Sequence, residues 1–91
     1  MKYLHHAIYV NAGDVVEVVL DRAANVQLLD PANYENYEKG RAYRYCGGCA
    51  TTSPVHLSVP ESGRWHVVID LGGGAGYVMA TVQVLSGSLA G

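Results

Sequence analysis

Apolar residues return at every second position along most of this chain, and a period of two is the mark of strands half-buried in a sheet. From 64 to 71 that period puts Trp65, Val67, Ile69 and Leu71 on one face and His66, Val68 and Asp70 on the other. Val55-His56-Leu57-Ser58-Val59 alternates in the same way between Pro54 and Pro60. The same reading predicts strands over 4–10, 15–20, 25–29 and 77–85, each followed by turn chemistry such as Asn11-Ala12-Gly13-Asp14 or Glu61-Ser62-Gly63. Val16, Val18, Leu20, Val26 and Leu28 are expected inside, together with Val55, Leu57, Trp65, Val67 and Ile69. The last strand should add Val78, Ala80, Val82 and Val84.

One segment breaks the period. Asp30-Pro31 fits an N-cap with proline at the first helical position, and Gly40 supplies the stop, which predicts one helix of about two turns within 31–39. Alternation then resumes at 42–45, pauses at Cys46-Gly47-Gly48-Cys49 and continues toward Thr52, the pattern of a hairpin whose glycines take positive φ. Gly72 to Gly76 reads as a loose turn, because strand pattern, not a helix, follows it and a phosphate-binding fingerprint needs the helix. Without crossover helices a parallel α/β fold is excluded. The expected fold is all-β, an antiparallel β-sandwich or jelly roll of seven to eight strands with one short helix, spanning 1–85 and followed by a flexible tail at 86–91.

Ninety-one residues, 49% of them apolar, supply one core and leave much surface exposed, so a homo-oligomer is expected. A net charge of −2 with six scattered Lys and Arg residues builds no basic face for a nucleic acid. No run approaches the roughly 20 apolar residues that cross a bilayer, and the amino end lacks a secretory apolar stretch. The expected setting is cytoplasmic, where a reducing medium keeps Cys46 and Cys49 as thiols.

The candidate chemistry is sparse. Cys46-Gly47-Gly48-Cys49 has the spacing of a zinc knuckle or a redox dithiol, and His56 and His66 could add nitrogens, yet a structural hairpin with inert thiols explains the motif without a cofactor. His66 and Asp70 lie about 13 Å apart along one strand at ~3.3 Å per residue, too far for an acid–base pair. His5 and His6 face opposite sides. The tyrosines are more informative, because Tyr34, Tyr37, Tyr43 and Tyr45 crowd into one segment of a chain with seven tyrosines, one tryptophan and no phenylalanine. Tyr34 and Tyr37 share a helix side and Tyr43 and Tyr45 a strand face, so the four are expected to converge, either as cover for the end of the sandwich or as a contact surface.

The sequence Asn-Val-Gln-Leu-Leu-Asp at 25–30, Asn-Tyr-x-x-Tyr-x-x-Gly at 33–40, Tyr-x-Tyr-x-Gly-Gly at 43–48, Ser-Pro-Val-x-Leu-x-Val-Pro at 53–60 and Gly-x-Trp-His-Val-Val-Ile-Asp-Leu-Gly-Gly at 63–73 resembles the bacterial domain-of-unknown-function family DUF1883. The resemblance implies a compact β-sandwich, standing alone or fused to a Toll/interleukin-receptor-like domain, with no assigned catalytic residues. Cys46 and Cys49 depart from it, since an aromatic and an aliphatic residue are expected there. The reading that follows is a non-enzymatic recognition or interaction module for a protein or small-molecule ligand, contacted through the tyrosine segment. Its rivals are a small metal-binding or thiol-dependent enzyme or sensor using Cys46, Cys49 and a histidine, and a purely structural assembly subunit.

Overall fold

The computed structural model describes residues 3–72 and 76–86. Apart from Ser86, the expected tail lies outside the described residues, as does the middle of the expected turn at 72–76. The element order is β1 (Tyr3–Val10), β2 (Val15–Leu20), β3 (Ala24–Leu29), α1 (Pro31–Glu38), β4 (Cys46–Ala50), β5 (Val55–Ser58), β6 (Gly63–Asp70) and β7 (Ala80–Leu85). Among the described residues seven antiparallel strands form two sheets, a four-stranded one in the order β1-β6-β3-β4 and a three-stranded one in the order β5-β2-β7. The all-β sandwich with one helix is the observed architecture.

Register explains which residues meet. β1 lies against β6 from Tyr3↔Asp70 to Val10↔Gly63, and β6 lies against β3 from Asn25↔Asp70 to Leu29↔His66. Even positions of β3 and odd positions of β6 therefore face the three-stranded sheet. There Val26, Leu28, Val67 and Ile69 meet Val16 and Val18 with no exposed surface. Each such side chain stabilises by about 1.5–3 kcal/mol on full burial. Trp65 packs against this core from a partly exposed position and donates its indole N–H to the Glu61 carbonyl at 2.9 Å. Val84, expected inside, is 39% exposed at the margin of the smaller sheet.

Three local expectations are corrected. Cys46-Gly47-Gly48-Cys49 is not a hairpin tip but the body of β4, paired with β3 from Leu28↔Cys46 to Ala24↔Ala50. Gly47, at φ +109°, leaves its missing Cβ position to the Val26 carbonyl oxygen, so glycine here serves a close approach of two strands and not a turn. Residues 42–45 are not a strand. The Arg44 N–H donates to Asn33 Oδ1 at 2.8 Å, and Tyr43 donates to Gln27 Oε1 at 3.1 Å, so side chains of the helix and sheet hold the segment. The last strand begins at Ala80, because the Asp21 carboxylate accepts from the Met79 N–H at 2.8 Å and substitutes for a backbone partner.

The helix forms where its signals predict. Asp30 caps it, with Oδ1 accepting from the Asn33 N–H at 2.8 Å, Pro31 follows, and Gly40 at φ +70° ends it. None of its residues is buried. It lies on the outer face of the larger sheet without an apolar stripe to hold it there.

Candidate functional site

What holds the helix is a layer of rings and polar groups. The outward parity of the larger sheet offers Tyr3 and His5 from β1, His66, Val68 and Asp70 from β6, and Gln27 and Leu29 from β3. His66, Val68, Asp70, Gln27 and Leu29 are all buried, although they face away from the core. Tyr34 lies parallel to His5 and to His66, with ring centroids 4.3 Å away in both cases and interplanar angles of 9° and 7°. Beneath it, His5 Nε2 and His66 Nδ1 share a hydrogen bond of 2.6 Å. One of these nitrogens must donate while the other accepts, so the bonded pair holds one proton between two imidazoles. Burial pushes both histidines below the usual range, and each is further lowered by a neighbouring histidine, while the Glu38 carboxylate pulls the other way.

The rest of the layer follows from Tyr34. Tyr3 and Tyr34 hydroxyls lie 3.2 Å apart, and Tyr37 donates to Asp70 Oδ2 at 3.0 Å. The other oxygen, Asp70 Oδ1, accepts from Asn25 Nδ2 at 2.9 Å and from the Gly72 N–H at 2.8 Å, so a buried carboxylate is bonded on both sides. Burial first, and then the bonds to Tyr3 and Asp70, raise the Tyr34 and Tyr37 phenols far above their ordinary range, which keeps them protonated donors. Ring contacts continue from Tyr37 to Tyr43 at 5.3 Å and from Tyr43 to Tyr45 at 5.5 Å. The structure thus brings Tyr34, Tyr37, Tyr43 and Tyr45 into one row. Tyr34, Tyr37 and Tyr43 are part-buried cover for the sheet face, and Tyr45 is 48% exposed.

Tyr3, Tyr37, Glu38 and Gly40 surround a shallow, open recess of about 220 Å³ where the helix end meets β1. It has two aromatic walls and one carboxylate. The ion pairs among the described residues, Glu35 with Lys39 and Glu17 with His56, do not include Glu38.

The other candidates do not assemble. Three positions apart on a strand, Cys46 and Cys49 point to opposite faces, Cys46 against the core and Cys49 exposed. His56 sits on the smaller sheet with Nε2 3.0 Å from Glu17 Oε2, whereas His66 is beneath Tyr34 on the larger one. Among the described residues no group of three or more His, Cys, Asp or Glu side chains is arranged to hold a metal ion. His66 and Asp70 make no contact, as their spacing requires. Their partners, His5 and Tyr37, come from other elements.

Tyr3 and Gln27 escaped the sequence reading, and His5 and Asp70 entered it only as acid–base candidates, not as partners of His66 and Tyr37 in this layer. The signal that could have found them is the run Val67-Val68-Ile69, apolar on both parities, which marks a strand covered on both faces. Leu29 beside Leu28 says the same of β3.

Fold and layer together define a small antiparallel β-sandwich with a polar, aromatic outer face closed by one short helix. Residues 1–88 match the family model described as "Domain of unknown function (DUF1883)", and the chain belongs to that family. No curated protein and no solved structure matches it. No helix among the described residues is long and apolar enough to cross a membrane.

Proposed function

We propose that this domain is a non-enzymatic recognition module whose contact point is the recess between the end of α1 and β1. The observation that carries the reading is the make-up of that recess, in which Tyr3 and Tyr37 stand beside Glu38. Aromatic faces and a carboxylate around a small hollow suit a cationic group, a lysine or arginine side chain of a protein partner. The chain's own charge of −2 points the same way.

Magnitude decides what kind of ligand fits. A cation over exposed rings contributes about 0.5–1 kcal/mol, and an exposed ion pair about 0–1 kcal/mol. Their sum falls short of the roughly 4 kcal/mol that a millimolar dissociation constant needs. A free small cation would therefore bind feebly, and useful affinity needs a partner that also covers neighbouring surface, including the exposed ring of Tyr45. This favours a protein partner over a metabolite.

The test is a nuclear magnetic resonance titration with tetramethylammonium and, separately, with a short arginine peptide. Shifts should concentrate on Tyr3, Tyr37 and Gly40, follow the peptide at lower concentration than the simple cation, and vanish in Glu38→Gln. Shifts scattered over the surface, or unchanged by Glu38→Gln, reject the reading.

A further inference from the structure

A strand at the margin of a sheet presents backbone N–H and C=O groups at every second residue, and folded proteins blunt such edges unless they are used. The four edge strands here are treated unequally. β4 carries Gly47 at φ +109° and Gly48 at φ +150° within five residues, a distorted template for further pairing. β5 is four residues long and is bracketed by Pro54 and Pro60. β7 has six residues, with polar Thr81 and Gln83 on one parity. β1 is the longest at eight residues, is paired to β6 at every position without a bulge, and contains no proline and no Lys, Arg, Asp or Glu. It also carries two of the exposed large apolar side chains, Leu4 and Tyr9, the latter 79% exposed.

We propose that the free edge of β1 pairs antiparallel with the same edge of a second copy of this chain, joining two four-stranded sheets into one. An isologous antiparallel pair relates residues of the same parity, because facing side chains lie on the same side of the sheet. Centred on His6, the register sets Tyr3 against the partner's Tyr9, Leu4 against the partner's Ile8, and His6 against the partner's His6. Exposed Tyr9 then gains an aromatic cross-strand neighbour, and Leu4 an apolar one. An uncharged edge is what identical strands require, since like charges directly opposite would repel. The pairing also places the partner's Tyr9 beside Tyr3, at the rim of the recess, though it stands whether or not that recess takes a cation.

The experiment is sedimentation equilibrium of the whole chain through the micromolar range, beside His6→Lys, a change at an exposed residue. Wild type is expected at dimer mass and His6→Lys at monomer mass with an unchanged circular dichroism spectrum. A second arm guards against misfolding. With Cys46→Ala and Cys49→Ser in the background, His6→Cys should form an intermolecular disulfide, because facing Cα atoms in an antiparallel ladder lie about 4.5–5.5 Å apart, within disulfide reach. Wild type at monomer mass throughout, a dimer untouched by His6→Lys, or cross-linking by Ala7→Cys in place of His6→Cys would each overturn the proposal.

Discussion

Tyr37→Phe removes a single oxygen from the outer layer and leaves its ring in place, at 5.1 Å from Tyr3 and 5.3 Å from Tyr43. The oxygen it removes donates to Asp70 Oδ2, on a carboxylate with only 5% of its surface exposed. Asn25 and Gly72 hold the other oxygen, Oδ1, and cannot serve Oδ2 without giving it up. A hydrogen bond to a charged group contributes about 1.5–3 kcal/mol, and leaving a buried charged acceptor unpaired costs at least that range. In a domain of this size each kcal/mol moves the melting temperature by about 4–8 °C, so the midpoint should fall by roughly 6–24 °C. Tyr43→Phe is the internal comparison, because its hydroxyl donates to the neutral Gln27 Oε1 at 3.1 Å and its loss should cost about 0.5–1.5 kcal/mol. Urea unfolding followed by circular dichroism reads both, with an unchanged slope confirming that the same surface unfolds. A Tyr37→Phe loss below about 0.5 kcal/mol, or a larger loss for Tyr43→Phe, would refute the claim that the carboxylate is desolvated and held by the helix.

The histidine pair makes stability depend on pH. Because burial lowers His5 and His66 below the ordinary imidazole value of about 6.5, the unfolded chain binds more protons just beneath that value, and stability is full above it and declines as pH falls from about 6.5 toward the lowered folded values. His5→Gln should flatten that slope, and an identical slope in the variant would remove the pair as its source. Gly47→Ala should destabilise far more than Gly40→Ala, since both sit at positive φ but only at Gly47 would the new Cβ meet the Val26 carbonyl oxygen, whereas Gly40 faces open space. Equal melting temperatures for the two variants would show that β3 and β4 do not need the close approach.

The core was legible in the sequence because it depends on parity within single strands. Val16, Val18 and Leu20, or Val67 and Ile69, need only the period of two to be placed. Cys46-Gly47-Gly48-Cys49 misled because two glycines at positive φ suit a turn equally well, and the deciding fact is a carbonyl of another strand, at Val26. The tyrosine row was half legible. Spacing put Tyr34 and Tyr37 on one helix side, but what they cover depends on the β1–β6 register, which brings together His5 and His66 from 61 positions apart. No local pattern encodes a register between strands that distant.

β1 belongs to two structures at once. Its even positions, Ile8 and Val10, pack against the sandwich core, while Tyr3 and His5 belong to the layer beneath the helix. Helix α1 has no buried residue of its own, so its docking rests on Tyr34 and Tyr37 meeting those two side chains and β6. A proton added to the imidazole pair therefore acts on a helix with no buried residue of its own, and it acts through the strand at the margin of the larger sheet. The proton site at His5, the recess wall at Tyr3 and the pairing edge lie within one eight-residue strand. Coupling between two such sites is reciprocal, so a partner that stiffens β1 would also raise the energetic cost of protonating the pair. The pH dependence of stability measured at monomer and at dimer concentrations should then differ in slope, and coincident slopes would show that edge and layer act independently.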